Sequence, residues 1–253
     1  SITDYKKEDA SVSSFFFQAI GYFCAVHLFY SPVISDEFAL PEEEAHHLFH
    51  VLRLKEGDQI LVTDGCGVRA TCSLSLVSKK TVLVRVVQQE LFDRPARELH
   101  LAIAPTKNMD RFEWLAEKAT EMGITTITPL ICRHSERKEL KTDRVRKLIV
   151  AAAKQSRQYW FPVLNEATPF RKVIDESSDE VKLIAHCNDS VKVSLTSLAA
   201  AVKVLVLIGP EGDFSEEEIA MSLEKGFSAL SLGESRLRTE TAGLVAVAAF
   251  HFH

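Results

Sequence analysis

Apolar positions in this chain fall into short runs separated by turn residues, and the character of the runs changes near residue 92. Upstream, Gln59–Thr63, Val68–Val77 and Thr81–Val87 mix apolar and polar positions, which predicts strands buried on one face. Lys55-Glu56-Gly57-Asp58 and Asp64-Gly65-Cys66-Gly67 mark the turns, and Asp-Gly between such runs is a hairpin signal. Pro41 followed by Glu42, Glu43 and Glu44 predicts a short helix whose acids sit near its positive end. Together these predict a small β-barrel with one helix over residues 27–92. Downstream, Leu99–Ala104, Ile124–Cys132, Leu183–His186 and Val204–Ile208 are largely apolar without alternation, as in strands covered on both faces. They alternate with predicted helices at Asp110–Met122, capped by Asn108 or Asp110 and stopped by Gly123, and at Asp143–Tyr159. The predicted fold is α/β: a mostly parallel sheet with helices on both faces over residues 99–253, joined to the barrel by a linker at 93–98 around Pro95.

Two segments near the C-terminus repeat one plan. Val204–Ile208 runs into Gly209, Pro210 and Gly212, and then into a helix announced by Ser215 and Glu218, a capping box with Phe214 and Ile219 as its staple. Leu230–Leu232 runs into Gly233, a polar loop and an Ala/Val-rich helix from about Thr241. Loops that follow parallel strands gather at their carboxyl ends, where open α/β sheets bind ligands.

Composition adjusts this picture in three places. The formal charge is −5 over 253 residues, which gives no global signal for nucleic acid. Between Ile131 and Trp160, however, nine Lys/Arg face three acids, a local basic cluster that also fits a solvated helical face. The five cysteines form no CxxC pair and read as reduced cytosolic thiols. Residues 1–26 differ from the rest, with a polar start and a Phe-rich patch interrupted by Gln18 and Gly21. They are set aside as a leader or added extension, and the protein is expected to be cytoplasmic with no membrane span. His46, His47 and His50 cluster, with His46 and His50 on one helix face. They lack an intervening HExxH glutamate and an evident third ligand, so no metal is expected.

Five motifs in one order carry a resemblance: HHLFHVLRLKEGD (46–58), KNMDRFEWLAEKATEMG (107–123), KQSRQYWFP (154–162), LIGPEGDFSEEEI (207–219) and LGESRLRTETAGL (232–244). In these the chain resembles the bacterial 16S ribosomal RNA uridine-N3 methyltransferase family of the SPOUT superfamily. The resemblance implies a PUA-like N-terminal RNA-binding domain and a C-terminal methyltransferase domain with a deep trefoil knot, a rare exception to unthreaded connections. It also implies S-adenosylmethionine as cofactor, a homodimer, and 16S ribosomal RNA of the 30S subunit as partner. The cofactor positions it implies are Leu207, Ile208, Gly209, Pro210, Gly212, Leu232, Gly233, Ser235, Leu237 and Arg238. Two departures stand out: Asp213 occupies a position where many members carry Gly, and Ser235-Arg236 stands where an Arg–aliphatic pair is common. The segment HLFYSP (27–32) also lacks the basic residue common near the family's N-terminus.

Methylating uridine N3 requires loss of its proton, and negative charge then spreads to O2 and O4. Arg238 is the candidate for stabilising that charge, with an ion pair to Glu211 or Glu240 as its structural alternative. Glu211 is the candidate proton acceptor or loop tether; Glu216–Glu218 read as helix-terminus acids. Arg53, Lys55, Lys107, Arg111, Lys118, Arg133, Arg137 and Arg157 are candidate phosphate contacts, which position RNA without reading its sequence. A base inside a duplex is out of reach, so the target uridine is expected to be unpaired or flipped. The alternatives are a non-catalytic RNA-binding or ribosome-assembly protein and a SPOUT methyltransferase acting on another RNA. A phosphate-binding hydrolase fits poorly, because GPEGDF lacks the Lys-Ser/Thr of a P-loop.

Overall fold

A computed structural model describes residues 27–188, 190–194 and 202–251; the segment 1–26 lies outside them. The chain divides into two compact units at residues 92 and 93.

In the first unit, strands β1 (Leu28–Tyr30), β2 (Glu37–Ala39), β3 (Gln59–Thr63), β4 (Val68–Val77) and β5 (Val82–Leu91) form one sheet in the order β1-β3-β4-β5-β2. β1 runs parallel to β3 and the other pairs are antiparallel. The period-2 pattern turns Ile60, Val62, Ala70, Cys72, Leu74, Val82 and Val84 inward, where they pack with Phe29 and Leu48. The predicted hairpin is present. Asp64 Oδ1 accepts from the backbone N–H groups of Cys66 at 2.7 Å and Val68 at 3.1 Å, which tightens the turn between β3 and β4. β5 continues four residues past the expected end at Val87, because its polar end still finds ladder partners: Val68 pairs with Leu91 and Arg69 with Glu90. Among the described residues no ladder joins the edge strands β1 and β2, so the expected barrel is a sheet left open at that seam. Helix α1 (Glu42–His46) starts after Pro41 as expected, then widens into a π-helical turn, His47–Leu52, that ends at Arg53 in the left-handed region, φ 54°.

The second unit is a parallel sheet. Its strands are β6 (Glu98–Ile103), β7 (Thr126–Ile131), β8 (Val163–Leu164), β9 (Thr168–Pro169), β10 (Val181–Ala185), β11 (Lys203–Ile208) and β12 (Ser228–Leu230). They lie in the order β12-β10-β11-β6-β7-β8, with β9 also on β7. Helices α2 (Met109–Glu121), α3 (Thr142–Gln155) and α6 (Thr239–His251) contribute to one buried layer. Helices α4 (Phe170–Glu176) and α5 (Glu216–Glu224) contribute to the other. The packing of β11 explains why its sequence is apolar at every position from Val204 to Ile208. Val204, Val206 and Ile208 enter the first layer, and Leu205 and Leu207 the second.

The helix ends follow the side chains available. Asn108 caps α2 by accepting from Asp110 N at 3.0 Å, and Gly123 stops it at φ 86°. Ser215 and Glu218 close the predicted capping box of α5, with Phe214 and Ile219 buried beside it. α3 ends four residues before the expected Tyr159, where Arg157 takes φ 55°. α6 starts two residues before the expected Thr241, and Gly243 on its buried side allows close approach to β6. A Cβ there would lie 2.8 Å from Ile103 Cδ1 and 3.0 Å from Leu115 Cδ1.

Candidate active site

The two glycine-bearing loops meet. β11 and β12 both pair with β10 in parallel, so the loops that follow them leave the same edge of the sheet. The start of α6 is tied to the first loop by Thr239 Oγ1, which donates to Gly209 O at 3.2 Å. Between the loops lies a cavity of about 590 Å³. Its wall includes Ile208, Gly209, Pro210 and Glu211 from the first loop and Leu230–Thr239 from the second.

Most of the expected cofactor positions therefore converge. Ile208, Gly209, Pro210, Leu232, Gly233, Ser235, Leu237 and Arg238 all line the cavity. Leu207 and Gly212 do not: Leu207 is fully buried in the layer under the sheet. Gly212 instead backs onto His134, whose Cβ would sit 3.3 Å from an added Cβ. The two act on the loop from behind.

Glu211 and Arg238 both line the cavity, and no ion pair joins them. Glu211 Oε1 accepts from Lys107 N at 3.0 Å, tying the first loop to the turn before α2. Glu240 is buried and pairs with Arg111 at 3.8 Å. Among the described residues Arg238 has no carboxylate partner, so the ion-pair alternative for it is not realised. Arg236, Leu237 and Arg238 also border a second cleft, of about 650 Å³, with Arg111 and the half-exposed Trp114 of α2.

Among the cavity-wall residues not expected at the site are His186, Cys187, Lys192 and Asp213, the last noted from sequence only as a departure from the family pattern. The available signal was that His186 and Cys187 directly follow a buried parallel strand, where ligand-binding loops begin. Asp213 has φ 63°. It holds that strained conformation by using both carboxylate oxygens: Oδ1 accepts from Phe214 N and Oδ2 from Cys187 N, each at 2.8 Å. An acid at a position that favours Gly thus fastens the β11 loop to the β10 loop. The Cys187 thiol pKa is raised, first by burial and then by the Asp213 carboxylate. Burial also pushes the Cys72 thiol up to about 11 and raises that of Cys132.

The expected phosphate contacts separate into groups. Arg111 borders the second cleft, and Lys107 and Arg137 border a neighbouring groove, where Arg137 donates to Lys107 O at 3.2 Å and Lys107 pairs with Glu136 at 3.1 Å. Arg133 is engaged by Glu217 at 2.9 Å, and its N–H donates to the buried Glu218 at 2.8 Å. Lys118 is held between Glu117 and Glu121, each at 2.8 Å, and Arg157 lies beyond the end of α3. The basic stretch is therefore less of a bare patch than its count suggests. Arg144 and Arg146 are likewise paired, with Glu113 and Glu166. In the first unit, Arg53 and Lys55 border a groove with Phe49 and His50, whose ring packs 4.4 Å from that of His46. Among the described residues no group of three or more His, Cys, Asp or Glu could hold a metal, and no helix is long and apolar enough to cross a membrane.

A parallel sheet whose glycine-bearing loops enclose a pocket defines a small-molecule-binding α/β domain, here attached to a smaller β unit. The chain belongs to the RNA methyltransferase family: that family's methyltransferase domain matches residues 93–251, and its PUA domain matches residues 40–87. The small-subunit ribosomal RNA methyltransferase E of Bacillus subtilis is 29% identical over 232 residues, covering 85% of this chain and 90% of its own. The crystal structure of a "probable rRNA-methyltransferase" from Porphyromonas gingivalis is 40% identical with a TM-score of 0.85, over 90% of this chain and 98% of that one. Another, of the ribosomal RNA small subunit methyltransferase E of Neisseria gonorrhoeae bound to S-adenosyl methionine, is 28% identical with a TM-score of 0.80 over 90% and 98%.

Proposed function

We propose that this RNA methyltransferase uses S-adenosylmethionine to methylate N3 of a uridine in the 16S ribosomal RNA of the small subunit. The observation that carries the reading is the cavity between the β11 and β12 loops, in a chain whose relative from N. gonorrhoeae binds S-adenosyl methionine. The wall suits that cofactor. Ile208, Pro210, Leu232 and Leu237 offer apolar surface for a nucleobase, backbone groups of the glycine loops can hydrogen-bond its edges, and carboxylates and cations are both present. When bound, the cofactor supplies a methyl group already activated by its sulfonium.

The protein's own work is alignment and charge stabilisation. The loops fix the donor's orientation, which contributes through proximity. Glu211 acts as a loop tether through Lys107 N. Arg238, free of carboxylates and lining both clefts, stabilises the negative charge that develops on the uracil oxygens as N3 loses its proton to solvent. Lys107, Arg111 and Arg137 receive phosphates on the methyltransferase unit, and Arg53 and Lys55 do so on the PUA-like unit at 27–92. A linker at 93–98 joins it to the methyltransferase unit at 99–253. We also infer a homodimer, supported by Trp114 standing 47% exposed beside the second cleft, a trefoil knot at the paired loops, and a cytoplasmic site of action.

The test is to incubate the protein with labelled methyl donor and either small subunits, free 16S RNA or transfer RNA, then digest to nucleosides. Labelled N3-methyluridine from the small-subunit RNA is the expected product. Its absence from every RNA form would refute the assignment, and label appearing in transfer RNA alone would move the substrate.

A further inference from the structure

His186 stands apart from every other polar group in the cavity wall. It is 7% exposed, it lines the cavity, and neither ring nitrogen has a hydrogen-bond partner. A buried imidazole left without partners costs free energy comparable to a lost hydrogen bond, so such a group in a ligand cavity points to what the ligand brings. Lys192 lines the same cavity. The His186 pKa is lowered, first by burial and then by the Lys192 ammonium; the Asp213 carboxylate opposes this in part. At neutral pH the ring is therefore uncharged, with one nitrogen donating and the other accepting. Asp213 does not serve as the acceptor for His186, because its two oxygens already accept from Phe214 N and Cys187 N. A neutral N–H donor beside an ammonium is a seat for an anion.

Resting on the reading that this cavity holds S-adenosylmethionine, we propose that His186 and Lys192 grip the carboxylate of its methionine tail. That carboxylate is the only anionic group the molecule has. His186 donates one N–H to a carboxylate oxygen, and Lys192 supplies the balancing charge. The consequence is a positioning role: side chains on the β10 loop fix the tail, while the β11 and β12 loops hold the nucleoside.

Calorimetric titration with S-adenosylmethionine and with decarboxylated S-adenosylmethionine, which lacks only that carboxylate, tests this without any turnover. The wild-type protein should bind the complete molecule more tightly. His186→Ala and Lys192→Met should each weaken its binding about tenfold and leave the decarboxylated compound nearly unchanged. His186→Gln keeps an N–H donor and should retain part of the preference. Lys192 is only partly buried, so Lys192→Met remains informative if the histidine variants fold poorly. Equal weakening for both compounds would place His186 on the nucleoside and overturn the proposal, as would no change for either. If the wild-type protein binds neither compound, it is the cofactor reading of the cavity that fails.

Discussion

Asp213 offers a quantitative test of how the two loops are held. Its side chain makes two charge-assisted hydrogen bonds to backbone N–H groups, at Cys187 and Phe214, while its own backbone sits at φ 63°. A hydrogen bond to a charged group contributes about 1.5–3 kcal/mol when well buried; for a half-buried carboxylate about 1 kcal/mol each is the better value. Asp213→Ala loses both, about 2 kcal/mol; the left-handed region costs a Cβ residue about 1 kcal/mol, but Asp213 already bears that cost in the wild type. Asp213→Gly loses the same bonds and recovers that conformational cost. The greater freedom of Gly in the unfolded chain takes back roughly 0.5–1 kcal/mol of it. Both variants are expected about 2 kcal/mol below wild type, with Gly level with Ala or about 0.5 kcal/mol above it. For a unit of this size the Ala variant should melt about 4–8 °C below wild type. Denaturant unfolding measures all three. An Ala variant as stable as wild type would show that the carboxylate bonds contribute nothing. A Gly variant well below Ala would show that the left-handed backbone carries no penalty.

Further outcomes follow from other contacts. Arg238→Ala should lower turnover about 100-fold, the scale of losing one charge-stabilising donor, with an unchanged melting temperature; a collapse in stability would assign it a structural role instead. Gly243→Val should destabilise the methyltransferase unit by about 1–3 kcal/mol through overpacking against Ile103 and Leu115, measured by the same unfolding experiment. RNA affinity should fall steeply with salt while cofactor affinity barely moves; binding titrations at two salt concentrations decide it, and salt-insensitive RNA binding would exclude phosphate contacts. His100 is lowered from its usual 6.5 by burial. Its unfolded state therefore binds more protons near that pH, and stability should fall as pH drops through 6.5. His100→Gln should flatten that slope in denaturant unfolding across pH; an unchanged slope would place the effect elsewhere.

What was legible locally was legible for local reasons. The capping box at Ser215 and Glu218, the Asn108 cap and the Gly123 stop are set by residues within a few positions of each other, and all three hold. The apolar run at β11 announced a strand covered twice, and both covering layers are present. β8, β9 and α4 were missed because they are short and carry no period that a sequence can display. The π-helical turn after His46 was missed because its residues suit an ordinary helix equally well.

The site divides along the same line. Glycines in two loops after buried strands marked Gly209, Pro210 and Gly233 from sequence, and all three line the cavity. Nothing in the order of residues could show that Arg238 lacks a carboxylate while Arg133 and Arg146 have theirs, because those partners come from other elements or loops. The sequence by itself determined the longer buried strands, the capped helix starts and the glycines of the two loops, since hydrophobic period and capping chemistry act over a few residues. Only the tertiary structure decided that Asp213 fastens one loop to another, and that His186 is buried in the cavity wall without a partner. Those facts depend on where β10 lies beside β11, a pairing made by chain segments far apart in sequence.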